Sequence, residues 1–535
     1  MDTESPIRSK NRRLSAAVVA QIPEALLRLL LGEQGGSEPR DSIGTSSAYA
    51  ERYHALLRKA VFAASMDGSY LAVACSERFM LLGHPEDASM CYRLISVGSE
   101  AALPGETVTA IYCMDIYAPS LLPGTHHGQQ RQQQQQQGKQ GSQLLCVVVG
   151  YSSGYLRVFS MYGHLLTAHQ LHSQPLLRIQ HRMPLHAASE GGGTLPTQPH
   201  SRSTPEDTEE VCLAYADGTM VSIDGQSLYL ALRVCQSEAA AGEASEPTFQ
   251  YKKWSFDVST PQVSDAVSYG PVVCRDPLAR LAMGSMTSNP LPSDATARFL
   301  VAPMHGKAAF GVFMTNEDVA VSYSAVDIAG RVAARVTGAV LNMAKSYFWR
   351  GSPLLAGGGS DRAEVARQSS PGKTDRGTTV PCVLAVRDSP RKVLEISLAP
   401  VHYGLAALTD TLGRVMLFDL ESSEVVYMLK GLRGSRCAWL EADSGSASQR
   451  RVFVVICASK RGVVEVYELG SMESPLASIN VGPGWAPIQC PTQPLGGSLL
   501  VGSAGNEHRA ALPCLASCLL VNDRGQVARI AIDAS

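Results

Sequence analysis

Net charge is what this sequence of 535 residues has least of: 46 Lys+Arg stand against 48 Asp+Glu, a balance of −2. A protein that grips nucleic acid along its phosphates needs a clear positive excess, so a broad basic binding surface is excluded. Charged residues make up 18% of the chain and aromatic residues 6%. Long apolar runs are missing too. Leu144–Val149 and Val452–Ala458 are the longest; both fall far short of the roughly 20 residues with which a helix crosses a bilayer. They have the length of buried strands. Arg8, Lys10, Arg12 and Arg13 precede an apolar stretch, but Pro23, Glu24 and Arg28 interrupt it, which argues against a secretory signal. An even set of loop cysteines is also missing. The thirteen cysteines sit mostly inside apolar runs, as Cys146, Cys212 and Cys457 do. Such cysteines act as small hydrophobes, and the expectation is a reducing, cytosolic compartment.

What is present is 45% hydrophobic residues, enough for a large core, with 47 Gly and 30 Pro. Low-complexity stretches divide the chain: Gln129–Gln140, Ser189–Glu210, Ser237–Pro247 and Gly351–Thr379. Their composition suits solvated loops. Between them lie apolar segments of strand length, five of which share one outline: strand, polar turn, Gly, strand. The glycines are Gly154, Gly218, Gly413, Gly462 and Gly525. The residue two further on is apolar each time: Leu156, Met220, Val415, Val464 and Val527. Glycine is expected where a tight hairpin needs positive φ, and alternation beyond it marks a strand.

Residues 393 to 429 display the whole unit. Val393–Leu398, Gly404–Thr409, Gly413–Asp419 and Glu424–Leu429 read as four short antiparallel strands, with Leu417-Phe418-Asp419 placed as in a WD repeat. Weaker copies occur at Ala60–Leu82 and Phe299–Phe313. Four strands in about 40 residues is the outline of a propeller blade. The expected fold is therefore mainly β, a WD-repeat-like β-propeller of about seven blades. The alternative is a β-sandwich rich in hairpins. Residues 1–53 read as an N-terminal arm with a short helix. Residues 54–535 read as the propeller, with insertions near 120–143, 187–210, 236–250 and 324–380. Two stretches read as helical. Ser15–Leu31 is apolar, with Pro23 opening its second half. Ser324–Trp349 repeats Ile328, Val332, Val336 and Val340 every four residues and ends in Tyr347-Phe348-Trp349. Arg331, Arg335 and Lys345 face a single acid, Asp327. That pattern fits a long amphipathic helix, docked on the propeller or available to a partner or a membrane surface.

The chemistry-bearing motifs are weak. Gly150–Gly154 matches the nucleophile elbow around Ser152, but the elbow requires a helix after it, and Leu156 and Val158 continue as strand. A Ser/Gly hairpin explains the match. Pro371-Gly372-Lys373-Thr374 ends like a phosphate-binding loop, yet Arg367 stands where the earlier Gly belongs. His164, His169 and His172 lack flanking ligands, and Cys514 and Cys518 lack a second pair. No catalytic residue, cofactor or metal is assigned. Tyr251-Lys252-Lys253-Trp254 is a candidate partner contact, alternatively a strand edge with two solvated lysines. Tyr347, Phe348 and Trp349 are a second candidate contact.

Longer strings carry a resemblance. Cys146–Leu177, Val221–Cys235, YKKW at Tyr251–Trp254, Val267–Leu278, the helix ending SYFW, Leu405–Gly434 and Arg461–Ser471 occur in this order. Together, over roughly residues 60 to 485, they resemble the N-terminal region of the regulatory, non-catalytic subunit of the Rab-three GTPase-activating protein complex. The resemblance implies a cytoplasmic subunit that pairs with a catalytic subunit and acts on Rab GTPases in membrane traffic. In some members it implies nucleotide exchange on another Rab (Rab-eighteen), with peripheral contact at the endoplasmic reticulum membrane. The catalytic arginine belongs to the partner, so no arginine here takes that role. Family members continue far beyond this region, so the chain is expected to be a short form or an incomplete one. The other functional reading is a propeller scaffold of a vesicle coat or tether.

Overall fold

The computed structural model describes residues 14–30, 46–84, 91–98, 105–117, 144–183, 209–241, 249–258, 262–270, 297–316, 319–320, 322–324, 377–443, 450–497 and 514–532. Strand β1 (Leu14–Gln21) is followed by helices α1 (Glu24–Leu30) and α2 (Ser46–Lys59). Blade 1 is β2 (Val61–Ala64), β3 (Tyr70–Cys75), β4 (Arg78–Gly83) and β5 (Arg93–Gly98). Blade 2 is β6 (Val108–Ile116), β7 (Leu144–Tyr151), β8 (Tyr155–Ser160) and β9 (Leu165–Gln170). Blade 3 is β10 (Leu176–Arg182), β11 (Glu210–Tyr215), β12 (Thr219–Asp224), helix α3 (Gly225–Ala241) and β13 (Gln250–Phe256). Blade 4 is β14 (Val263–Ser268), β15 (Ala297–Pro303), β16 (Ala308–Thr315) and β19 (Cys382–Arg387). Between β16 and β19 the chain supplies β17 (Ser322–Ser324) and β18 (Thr378–Val380), and both pair with β13. Blade 5 is β20 (Val393–Leu398), β21 (Leu405–Asp410), β22 (Arg414–Asp419) and β23 (Glu424–Lys430). Blade 6 is β24 (Ser435–Asp443), β25 (Arg450–Ala458), β26 (Val463–Glu468) and β27 (Ala477–Asn480). Blade 7 is β28 (Ala486–Gln489), β29 (Cys518–Val521), β30 (Gln526–Ile532) and, as its outer strand, β1.

The fold is a seven-bladed β-propeller. The first strands of successive blades touch in a closed circle, β2, β6, β10, β14, β20, β24, β28 and back to β2. Between each pair of adjacent blades lies one apolar cluster, seven in all. This arrangement explains the continuous apolar strands. Val147 and Val149 enter the cluster between blades 1 and 2, while Val148 enters that between blades 2 and 3. A blade sandwiched between neighbours has no solvent face, so alternation gives way to runs such as Leu145–Val149.

Closure comes from the chain's start. Leu14 pairs with Ile532 and Gln21 with Gln526. Ring closure removes the edge that an open seven-blade arc would expose. The expected helix over Ser15–Leu31 is thus half corrected: its first part is this strand, and only Glu24–Leu30, just after Pro23, is helical. Residues 14–21 supply a strand of the ring, and α2 packs into the cluster between blades 7 and 1. Ser324 ends strand β17, and the remainder of the expected 324–349 helix lies outside the described residues.

The five hairpin glycines all have positive φ, from 68° at Gly462 to 86° at Gly413. At Gly154 a Cβ would stand 1.9 Å from the His172 carbonyl oxygen, so both conformation and space demand glycine. A second regularity sits at the start of the inner strands. A bulge after Val108, Leu176, Val263 and Val393 recurs in blades 2 to 5. In blades 2 and 4 the bulged residue carries a hydroxyl that ties the next blade: Thr109 Oγ1 donates to Leu176 O and Ser264 Oγ to Val393 O, each at 2.6 Å.

Because the strands of a blade run antiparallel, connections one-to-two and three-to-four leave from one face of the ring. The hairpins two-to-three and the links between blades leave from the other. The connections that contain residues 118–143, 184–208, 271–296 and 498–513, and those that contain α3 and 325–376, all belong to the first face. This is the insertion face, and the opposite one is the hairpin face.

Candidate functional site at the channel mouth

The inner strands surround a central channel whose mouth on the insertion face holds a cavity of about 340 Å³. Arg178, Gln180 and Arg182 of β10, Tyr269 just after β14, His402 between β20 and β21, and Gln489 of β28 line it. Inner strands and the residues just beyond them supply most of these side chains, because the first strand of each blade lies nearest the ring axis.

The polar groups are tied across blades. Arg178 Nη1 donates to Asp265 Oδ2 and to Ile396 O, each at 2.7 Å, and Ile396 N donates to the same carboxylate at 2.8 Å. Three blades thus meet at one carboxyl. Burial pushes the Asp265 pKa upward, and Arg178 only partly counters it. Gln180 and Ser268 exchange two hydrogen bonds, of 2.7 and 3.1 Å. Glu441 of β24 accepts from His402 Nε2 and Tyr403 Oη, each at 3.2 Å, and from Ala516 N at 2.8 Å. Burial raises the Glu441 pKa, but the His402 and Ala516 hydrogen bonds outweigh it and leave the carboxyl below its ordinary range.

Part of the mouth is crossed by the connection after β28. Its Leu495 donates to Asp115 O at 2.7 Å and accepts from Tyr117 N at 2.9 Å, reaching past blade 1 to the end of β6 in blade 2. Gly496 N then donates to Glu209 Oε1 at 2.9 Å, and that oxygen also meets His181 Nε2 at 2.8 Å. Asp115 itself is 6% exposed and accepts from Met66 N of blade 1 at 2.9 Å. Desolvation drives its pKa up to about 6. A channel mouth built this way can hold blades in register and present paired charges to a bound segment. Among the described residues no group of three His, Cys, Asp or Glu could hold a metal.

The motifs from the sequence fall in distinct places. Ser152 lies in the hairpin between β7 and β8, and its Oγ accepts from Thr107 N at 3.0 Å. The following element is strand, as the hairpin reading expected. His172 meets Asp217 at 2.8 Å across the hairpin face, and His169 lies edge-on to Phe249 at 4.9 Å. Cys518 is buried in β29, four residues after Cys514. In the Tyr251–Trp254 string, Trp254 is 1% and Lys253 6% exposed, and Lys253 Nζ donates to Leu171 O at 3.3 Å. Neither side chain is at the surface. Tyr251 is half-buried and stacked on Tyr323 at 5.4 Å, and Lys252 is likewise half-buried. The strand is no edge, because β17 and β18 cover it. Tyr347, Phe348, Trp349 and the Pro371–Thr374 string lie outside the described residues.

Sequence reasoning missed the channel side chains altogether. Their partners are remote, 218 residues apart for Arg178 and Ile396, and no local spacing announces them. It also missed α3, although a signal was there. Asp224 caps its start through Ser227 N at 2.8 Å, and Leu228, Leu232 and Cys235 follow at helical spacing, all buried.

Solved structures with a similar course of chain include the crystal structure of Saccharomyces cerevisiae Sqt1. It is 11% identical over 89% of this chain and 83% of that one, with a TM-score of 0.34. The C-terminal WD40 domain of Sif2 is 10% identical over 88% and 95%, with a TM-score of 0.35. The computationally designed Ika8 protein is 9% identical over 88% and 95%, also at 0.35. Likeness at that level adds nothing to the fold, which rests on the sheet order. The family model for the Rab3 GTPase-activating protein regulatory subunit N-terminus matches residues 56–485, from α2 to the threshold of β28. By that match, over well more than half of its length, the chain belongs to the Rab3 GTPase-activating protein regulatory subunit N-terminus family.

Proposed function

We propose that this chain is a non-catalytic regulatory subunit that supports a catalytic partner in stimulating GTP hydrolysis by a Rab GTPase. The observation that carries the reading is the family match over residues 56–485, which takes in blades 1 to 6. The channel fits it. Its charges are engaged in ties between blades, as at Arg178–Asp265 and Glu441–His402, an arrangement suited to a rigid platform. Catalysis on the Rab belongs to the partner in this proposal. Cytoplasmic residence, contact with a Rab and peripheral contact with the endoplasmic reticulum membrane are parts of the same proposal. So are partner contacts at Tyr251 and Lys252 and at Tyr347, Phe348 and Trp349. Nucleotide exchange on a second Rab belongs to the same proposal.

The test is reconstitution. The chain alone should leave Rab GTP hydrolysis at its intrinsic rate, and coexpression with the catalytic subunit should give a stable complex that accelerates it. Ser152→Ala should not change that acceleration. Failure to copurify with the catalytic subunit, or acceleration by this chain by itself, would overturn the reading.

A further inference from the structure

Propeller blades bury both faces but leave the rim of each outer strand to be dealt with. In this ring the rims are dealt with unequally. The edge of β13 is closed by β17 and β18. Beside β9, helix α3 packs so that Leu166 shares a cluster with Leu228 and Leu232. In the four-residue β27, Ala477 and Ile479 are buried and polar Ser478 and Asn480 are exposed. Strand β23 has no such device. It is seven residues long, Glu-Val-Val-Tyr-Met-Leu-Lys, and among the described residues it pairs with β22 alone. Val425, Val426 and Met428 are 39%, 52% and 38% exposed, three of the nine large apolar side chains exposed among the described residues. Val426 is the extra residue of a bulge against Leu417 and Phe418. The residue at the same bulge in blade 2, Leu166, is 6% exposed.

A long apolar edge with unpaired main-chain groups is a template for another strand. The charges around this one select the strand. Exposed Glu421 and Glu424 stand at its beginning, and exposed Lys430 and Arg433 at its end. Antiparallel pairing of two identical edges brings the acidic end of each against the basic end of the other, whichever register the Val426 bulge imposes. We propose that β23 is a self-association edge, through which two copies of this chain pair their fifth blades antiparallel about a two-fold axis near Tyr427. Such an interface is isologous and closes at two copies, so it caps the edge instead of propagating it. A contact of one strand pair is small, and a dissociation constant of roughly 1–100 μM is the corresponding range.

The experiment is sedimentation equilibrium on the full chain across that concentration range. Wild type should move from one chain to twice 57.0 kDa. Glu421→Lys with Glu424→Lys gives a strand basic at both ends, and Lys430→Glu with Arg433→Glu gives one acidic at both ends. Each should self-associate at least tenfold more weakly, while an equimolar mixture of the two should form a heterodimer as tight as wild type. Circular dichroism on these surface variants establishes that each is folded, and Val426→Lys with Met428→Lys is a second monomeric variant. A wild type that stays a single chain throughout, or charge variants that fail to recombine, would overturn the proposal. Loss of the catalytic subunit from the β23 variants, with wild type monomeric alone, would assign the edge to that partner instead.

Discussion

The two faces of the ring are built on different terms. On the hairpin face, turns of two to four residues join the strands, and glycines such as Gly154, Gly218 and Gly413 hold φ between 82° and 86°. On the insertion face six connections carry long insertions, although β8–β9 and β22–β23 are joined there by four residues each, and ties across blades come from side chains and main chain at the channel mouth: Asp265 joining three blades, Glu441 joining blades 5 to 7, and Leu495 reaching from blade 7 to blade 2. One face is specified by local backbone geometry. The other is specified by contacts between residues hundreds of positions apart. Local constraint makes a turn sensitive to substitution where space is short, as at Gly154, but ignores what happens elsewhere. Remote constraint leaves the loops free to lengthen, provided that the inner ends of the strands remain tied.

The sharpest way to break this comparison is at Gly154. An alanine there needs a left-handed φ of 85° and puts its Cβ 1.9 Å from a backbone oxygen. Gly154→Ala should therefore cost about 3 kcal/mol or more, from strain and displaced backbone together. Gly431 is the control: its φ is also 85°, but nothing lies within 4 Å of the place a Cβ would take. Gly431→Ala should cost only about 1 kcal/mol. Chemical denaturation of both variants checks the pair, and equal losses would show that space at the turn is not what fixes the hairpin.

The next effect belongs to the insertion face and has the opposite sign. Asp115 is folded with a pKa of about 6 against an ordinary 3.8, so the native state holds its proton more tightly than the unfolded chain does. The native state therefore gains from this group below about pH 4, and the gain is lost as pH rises through 6. Above that, burial of the charge costs on the order of 3 kcal/mol. Asp115→Asn keeps an oxygen for Met66 N but carries no charge. Its new amide hydrogens lack assured partners, so the net gain at pH 7 should be smaller, about 1–2 kcal/mol. The difference in stability between variant and wild type should grow between pH 4 and 6 and level off above. A difference that does not change over that range would show that Asp115 titrates normally and that the channel mouth is wetter than its geometry implies.

The same division governs what could be read from the sequence. The five Gly hairpins and all four strands of blade 5 were legible, because positive φ and two-residue alternation are local signals; Glu424–Leu429 differs from the observed strand by one residue. Strand β1 was not legible. Its sequence, Leu-Ser-Ala-Ala-Val-Val-Ala-Gln, suits a helix or a strand, and what decides is pairing with residues 526 to 532 at the far end of the chain. Trp254 and Lys253 stand out in the sequence as an aromatic and a cation beside a low-complexity stretch. The ring buries both, because the faces of β13 are covered by the neighbouring blades: Trp254 packs in the cluster between blades 3 and 4, and Lys253 reaches Leu171 O just after blade 2. Of the candidate site, neither Arg178, Asp265 nor Glu441 could be singled out, since closure of the circle is what brings each to its partner.

The smallest expected effect tests the other half of the comparison, the freedom of the insertion face. Gln129–Gln140 falls within the connection from β6 to β7, residues 117–143. Deleting it removes twelve of twenty-seven residues without touching either strand. Loop-closure entropy varies with the logarithm of length, so shortening the connection from 27 to 15 residues should stabilise the fold by only about 0.5 kcal/mol. The ends of β6 and β7 are already paired through Ile116 and Leu144, so a short connection suffices to close them. The melting temperature should accordingly rise by no more than a degree or two in a chain of this size. Scanning calorimetry on the deletion variant reads this directly. A loss of several degrees would mean that the glutamine tract makes contacts with the ring, and the insertion face would then be held together by more than the side chains at the channel mouth.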